Sequence, residues 1–89
     1  MKRVHVFVSG RVQGVNFRWF TKTVAEKLDI KGWVKNLNDG RVEIIAEGDD
    51  EEIENFLNYV KKGPILARVD EIDVREQDYK NEFKEFSII

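Results

Sequence analysis

The sequence predicts an α+β two-layer sandwich in which two helices pack on one face of an antiparallel sheet. Three observations carry that reading. The apolar residues switch four times between a period of two and a helical period, in the order strand, helix, strand, strand, helix, strand. An Asp39-Gly40 pair lies between two strand-like runs, a hairpin signal because glycine accepts positive φ at no steric cost. Finally, 89 residues, 42% of them hydrophobic, suffice for one cooperative core and are too few for two.

Over residues 3–9, Val4, Val6 and Val8 alternate with His5, Phe7 and Ser9, which makes one strand face apolar. Residues 10–14 break the alternation. From Phe17 the apolar positions become 17, 20, 24 and 28, with Ala25 beside them, the stripe of an amphipathic helix. Gly32 is expected to end this helical region, and Trp33-Val34 to open a second strand running to about Leu37. After the turn Asn38-Asp39-Gly40, Val42, Ile44 and Ala46 mark a third strand, antiparallel to the second. Asp49 is placed to cap a second helix, with Glu52 as its capping-box partner, and Ile53, Phe56, Leu57 and Val60 form the buried face. Gly63-Pro64 stops it. Residues 67–77 read as a fourth strand with imperfect alternation, and 83–89 as a short terminal one. This βαββαβ order with an added C-terminal strand is ferredoxin-like. Without repeats or linkers, residues 1–89 are expected to form one free-standing domain and to act as a monomer.

Composition narrows the function. Fifteen Lys and Arg against seventeen Asp and Glu give a net charge of −2, so polyanions exert no general attraction and no nucleic-acid partner is expected. No window approaches the roughly 20 apolar residues needed to span a bilayer, which leaves out a membrane partner. The start Met1-Lys2-Arg3 is basic, but the apolar run after it is too short for a signal peptide, so a cytoplasmic location is expected. The absence of cysteine excludes thiol catalysis, Cys-type zinc sites and iron–sulfur clusters. The single histidine, His5, lies in an alternating run. That placement argues against a Ser/His triad or a multi-histidine metal site, and no metal, cofactor or role for His5 is expected.

The chemistry-bearing segment is Ser9-Gly10-Arg11-Val12-Gln13-Gly14-Val15-Asn16-Phe17-Arg18, which passes from strand to helix with glycines four apart. At a helix amino terminus the backbone N–H groups lack intrahelical partners and together carry about half a positive charge, a setting for an anion of phosphate size. The same pattern also suits an ordinary strand-to-helix turn. Arg18 in the first helical turn opposes the macrodipole at a cost of about 0.3–1 kcal/mol, which a bound dianion would reverse; a solvated surface arginine is the other reading. Asn36, before a turn, is either a turn residue or an amide able to hold a water by donating and accepting at once. If the first crossover is the usual right-handed one, strands one and two run the same way, and residues 10–18 and Asn36 share one edge.

These residues carry a family resemblance. Gly10-Arg11-Val12-Gln13-Gly14-Val15-Asn16-Phe17-Arg18, followed by Gly32-Trp33-Val34-Lys35-Asn36 and Asp39-Gly40-Arg41-Val42-Glu43, resembles the acylphosphatase family over almost the whole chain. The late Gly63-Pro64 and Ala67-Arg68-Val69 resemble family members from microorganisms. The resemblance implies a ferredoxin-like enzyme that hydrolyses the carboxyl–phosphate bond of small acyl phosphates, without metal or other cofactor, to a carboxylate and inorganic phosphate. It implies that Arg18 binds phosphate and that Asn36 orients the nucleophilic water. The backbone amides of Val12, Gln13, Gly14, Val15, Asn16 and Phe17 correspond to the phosphate cradle. One departure stands out. Many family members end in Arg or Tyr after a Phe-x-Ile segment, whereas Phe86-Ser87-Ile88-Ile89 ends on an apolar residue, so an altered edge strand with retained activity is expected.

Two other readings compete. A non-enzymatic phosphate-ligand-binding or regulatory module is open because fold does not fix function. An RNA-binding sheet lacks the spaced aromatic pair around Lys31-Gly32-Trp33-Val34-Lys35-Asn36 that such sheets use.

Overall fold

The structure, a computed structural model describing residues 1–89, runs β1 (Lys2–Arg11), α1 (Phe17–Lys27), β2 (Lys31–Asn36), β3 (Val42–Gly48), α2 (Asp50–Lys62), β4 (Arg68–Gln77) and β5 (Phe86–Ile88). The strands form one sheet in the order β4-β1-β3-β2-β5. The alternating valines of β1 pair in register with the apolar residues of β3: Val4 with Ala46, Val6 with Ile44, Val8 with Val42. Stacked side by side on one face, they meet Ile53, Phe56, Leu57 and Val60 of α2 and Phe17, Val24 and Ala25 of α1 in a single buried cluster. Each such buried side chain contributes about 1.5–3 kcal/mol of hydrophobic stabilisation. No helix is long and apolar enough to cross a membrane.

Three details differ from the sequence reading, and a fourth explains an irregularity it noted. The sheet is mixed: β5 pairs with β2 in parallel, Gly32 opposite Phe86 and Val34 opposite Ile88. The cause is the connection after β4, which leaves at the start of β1, where Arg3 pairs with Gln77, and crosses beneath the sheet before β5 turns upward beside β2. Such a crossing imposes the same direction on β2 and β5, as a two-residue hairpin could not. Gly32 lies inside β2 and does not end α1, which stops at Lys27 before Leu28 and Asp29 turn the chain. Its φ is +147°, and a Cβ there would stand 1.9 Å from the carbonyl oxygen of Ile45, so glycine is demanded by the close approach of β3. Asp49 occupies the N-cap position of α2 but makes no side-chain cap bond, and Glu52 accepts from Asn55. Finally, the broken alternation of β4 arises from a register shift opposite Ser9 and Gly10: Ser9 faces Glu71 and Gly10 faces Val69, leaving Asp70 as the extra residue.

The crossing connection is held from below. Glu47 at the end of β3 is buried, with 3% of its side chain exposed, and accepts from Arg3 Nη1 at 3.2 Å and from the backbone N–H groups of Lys80 at 2.8 Å and Glu82 at 3.3 Å. Arg3 also reaches the Glu82 carboxylate and donates from Nε to Gln77 at 3.0 Å. Burial works against the Glu47 charge, but these donors outweigh it and hold its carboxyl below the ordinary glutamate range.

Candidate active site

β1 and β2 run in the same direction because each is antiparallel to β3 between them, so the exit of β1 and the end of β2 meet at one end of the sheet. There a single cleft of about 370 Å³ opens. Its floor and one rim come from the loop after β1 and the first turn of α1: Val12, Gly14, Asn16, Phe17 and Arg18. The opposite rim carries Asn36, and Trp19 and Ile88 complete the wall.

The loop is built to present its amides. Val12, Val15 and Phe17 bury their side chains in the core, anchoring the segment on three points. Between them Gly14 takes φ +72° and Asn16 φ +71°, left-handed conformations that turn the backbone tightly at the helix start. No backbone N–H of Val12, Gln13, Gly14, Val15, Asn16 or Phe17 donates to another backbone group of the protein. Six such donors in a row at the start of a helix, two of them on the exposed residues Gly14 and Asn16, form a setting in which one anion could accept from several at once. The first bond of α1 begins only at Phe20, donating to Asn16. No acidic residue lies in the first turn of α1, so the positive end of the helix is uncompensated and Arg18 adds to it. Arg18 is exposed and forms no ion pair with any carboxylate, which leaves its guanidinium available.

Across the cleft, the Oδ1 of Asn36 is buried and has no hydrogen-bond partner in the protein. An amide oxygen in that state carries a desolvation cost of about 1–3 kcal/mol, which an external donor such as water would relieve. Gln13 joins the two rims. Its Nε2 donates to the carbonyls of Leu37 at 2.8 Å and Arg41 at 2.9 Å, the two residues closing the β2–β3 hairpin through Leu37 N–H to Arg41 at 2.8 Å.

Every residue singled out by the sequence therefore lies on this loop or this cleft, and Arg18 and Asn36 face it from opposite sides. Three contributors went unrecognised: the carboxamide of Gln13, the indole of Trp19, and Ile88. His5, expected to be packed or half-exposed, sits half-buried on the opposite sheet face with its Nε2 2.6 Å from Glu43 Oε2, remote from the cleft. No group of three or more His, Cys, Asp or Glu side chains is placed to hold a metal ion.

A sandwich of this topology, with an amide-lined turn and one guanidinium beside a cleft at a shared sheet end, defines a small two-layer α+β domain of ferredoxin-like order. The family model described as acylphosphatase matches residues 4–88. A protein named acylphosphatase from Methylococcus capsulatus is 52% identical over 89 residues, spanning all of this chain and 97% of that one. Among solved structures, an acylphosphatase from Bacillus subtilis superposes with a TM-score of 0.97 at 43% identity, covering 100% of this chain and 99% of the other. One from Coxiella burnetii gives 0.94 at 36% identity, covering 99% and 92%. The chain belongs to the acylphosphatase family, a family of enzymes that act on small acyl phosphates.

Proposed function

We propose that this cleft hydrolyses acyl phosphates by direct attack of water on phosphorus. The phosphoryl oxygens sit on the N–H groups of Val12, Gln13, Gly14, Val15, Asn16 and Phe17, with the Arg18 guanidinium closing over them. Asn36 holds the attacking water through Oδ1. The water oxygen forms a bond to phosphorus as the bond from phosphorus to the acyl oxygen breaks, releasing a carboxylate and inorganic phosphate. The water's proton passes to a phosphoryl oxygen or to solvent.

The toolkit is sparse because the reaction asks little of it. The leaving group is a stabilised carboxylate and needs no strong general acid, so positioning and charge neutralisation carry the acceleration. Preorganised amides and a guanidinium supply both as charge spreads over the phosphoryl oxygens. The reading needs no metal or cofactor, and it places the protein in the cytoplasm as a one-domain monomer with neither nucleic acid nor membrane as partner.

The single observation that supports it most is the meeting at one cleft of Arg18, Asn36 and the loop residues Val12, Gly14, Asn16 and Phe17, whose N–H groups have no backbone partner. Phosphate release from benzoyl phosphate, followed with and without chelator, tests it. Turnover that survives chelation is expected. Phosphate binding without turnover would transfer the cleft to a ligand-binding module, and an absolute need for a divalent metal would remove the mechanism.

A further inference from the structure

The cleft is larger than a phosphoryl group needs. Its volume of about 370 Å³ extends past the amide loop, Arg18 and Asn36 to Trp19 and Ile88. The amide loop, Arg18 and Asn36 account for the phosphate end and the water. The remaining wall is Trp19 and Ile88, apolar residues left 58% and 40% exposed.

Their placement is fixed by the fold. Ile88 lies opposite Val34 in the parallel β2–β5 pair, and Val34 is fully buried under the helices, so Ile88 sits on the same helix-covered face. Asn36 is two residues beyond Val34 and shares that face. The N–H of Ile89 donates to the Val34 carbonyl at 2.9 Å, locking the strand end in place. Lys22, the cation of α1 nearest β5, is occupied by Glu26 at 3.0 Å and the Phe86 carbonyl at 3.2 Å. Arg18 is thus the one charged residue lining the cleft.

From this we infer that Trp19 and Ile88 form the acyl-group subsite, and that the preferred substrates carry a neutral hydrocarbon acyl group, flat or branched, over acetyl or carboxylate-bearing acyl groups. An indole face and a branched aliphatic chain beside it offer such a group a partly dehydrated surface. Neither offers a counter-charge to a carboxylate-bearing one. The inference rests on the hydrolytic reading above, and because the wall touches the non-reacting part of the substrate, it acts chiefly on KM.

The test compares kcat/KM for benzoyl phosphate and acetyl phosphate in the wild type, Trp19→Ala, Trp19→Phe and Ile88→Ala. Acetyl phosphate serves as the internal control for folding. The benzoyl-to-acetyl ratio should favour benzoyl in the wild type and fall about tenfold in Trp19→Ala, mainly through the benzoyl KM, the low end of what apolar pocket contacts discriminate. Ile88→Ala should move it the same way by a smaller factor, and Trp19→Phe should restore most of it. A ratio unchanged in both alanine variants overturns the subsite while leaving the hydrolysis standing. A wild type inert toward both substrates overturns the hydrolysis itself, and the subsite with it.

Discussion

Gln13 reaches across from the loop after β1 and donates to the carbonyl of Leu37 at 2.8 Å, so the amide cradle and the strand end that bears Asn36 are tied by one side chain. The same nitrogen serves Arg41 at 2.9 Å. Removing it takes away two hydrogen bonds, although the Leu37 carbonyl keeps the Gly40 N–H and the Arg41 carbonyl keeps the Leu37 N–H, and frees the two rims to shift independently. Gln13→Ala is expected to lower kcat by about tenfold or more, since misplacement of about 1 Å can cost 10²-fold. It should also cost about 1–3 kcal/mol of stability. Steady-state kinetics on benzoyl phosphate alongside thermal melts measure both; a variant with unaltered kcat would show that the tie is not needed for positioning.

In the proposed mechanism Arg18 makes opposite contributions to folding and to catalysis. Arg18→Ala removes a cation from the positive end of α1 and should leave stability unchanged or raise it by about 0.3–1 kcal/mol in phosphate-free buffer. Inorganic phosphate should raise the Tm of the wild type, as binding to the native state alone requires, and fail to do so in the variant. Turnover should drop about 10²–10³-fold, and Arg18→Lys should recover little, because an ammonium lacks the planar fork. A phosphate-induced Tm shift that persists in Arg18→Ala would relocate the anion site.

Asn36→Ala should lower kcat far more than it alters KM, since in the proposed mechanism the side chain holds the water and not the phosphate. Removing an amide oxygen that has no protein partner should destabilise the fold little. A variant whose loss lies wholly in KM contradicts the assignment.

The Glu47 carboxyl, held below its ordinary range, binds fewer protons folded than unfolded under acid conditions. Its contribution is therefore complete above about pH 4.5 and is lost as pH falls through the lower folded value. Glu47→Gln should flatten the acid limb of the stability curve and lower stability at neutral pH by about 1–3 kcal/mol. For a domain of this size that is roughly 4–8 °C in Tm for each kcal/mol. Urea titrations between pH 3 and 7 decide it: an acid limb as steep as in the wild type would assign the slope to other carboxylates.

The fold was legible wherever a regular period ran unbroken. β1 and α2 announce themselves through valines two apart and apolar residues at helical spacing, and both are buried as expected. Because β1 and β2 were expected to run the same way, the convergence of Arg18 and Asn36 was legible too. What stayed hidden depends on contacts distant in sequence. The three residues of β5 carry too short a pattern to reveal that they pair in parallel with β2, and hence that Ile88 borders the cleft. Glu47 falls outside the alternating apolar set Val42, Ile44 and Ala46, and only the crossing of residues 78–85 beneath the sheet explains its burial. Gly32 was read as a stop signal because a glycine after an amphipathic stripe usually is one; its real reason, the Ile45 carbonyl 1.9 Å from where a Cβ would stand, belongs to another strand.

The direction of β5 also bears on how the protein is handled. β1 and β5 point the same way, so Met1 and Ile89 lie at opposite ends of the sheet, and Ile89 is one residue from the cleft wall. A purification handle or surface-coupling group attached after Ile89 would crowd the mouth through which substrate enters and product leaves. The same group placed before Met1 hangs from the far end and leaves that doorway clear.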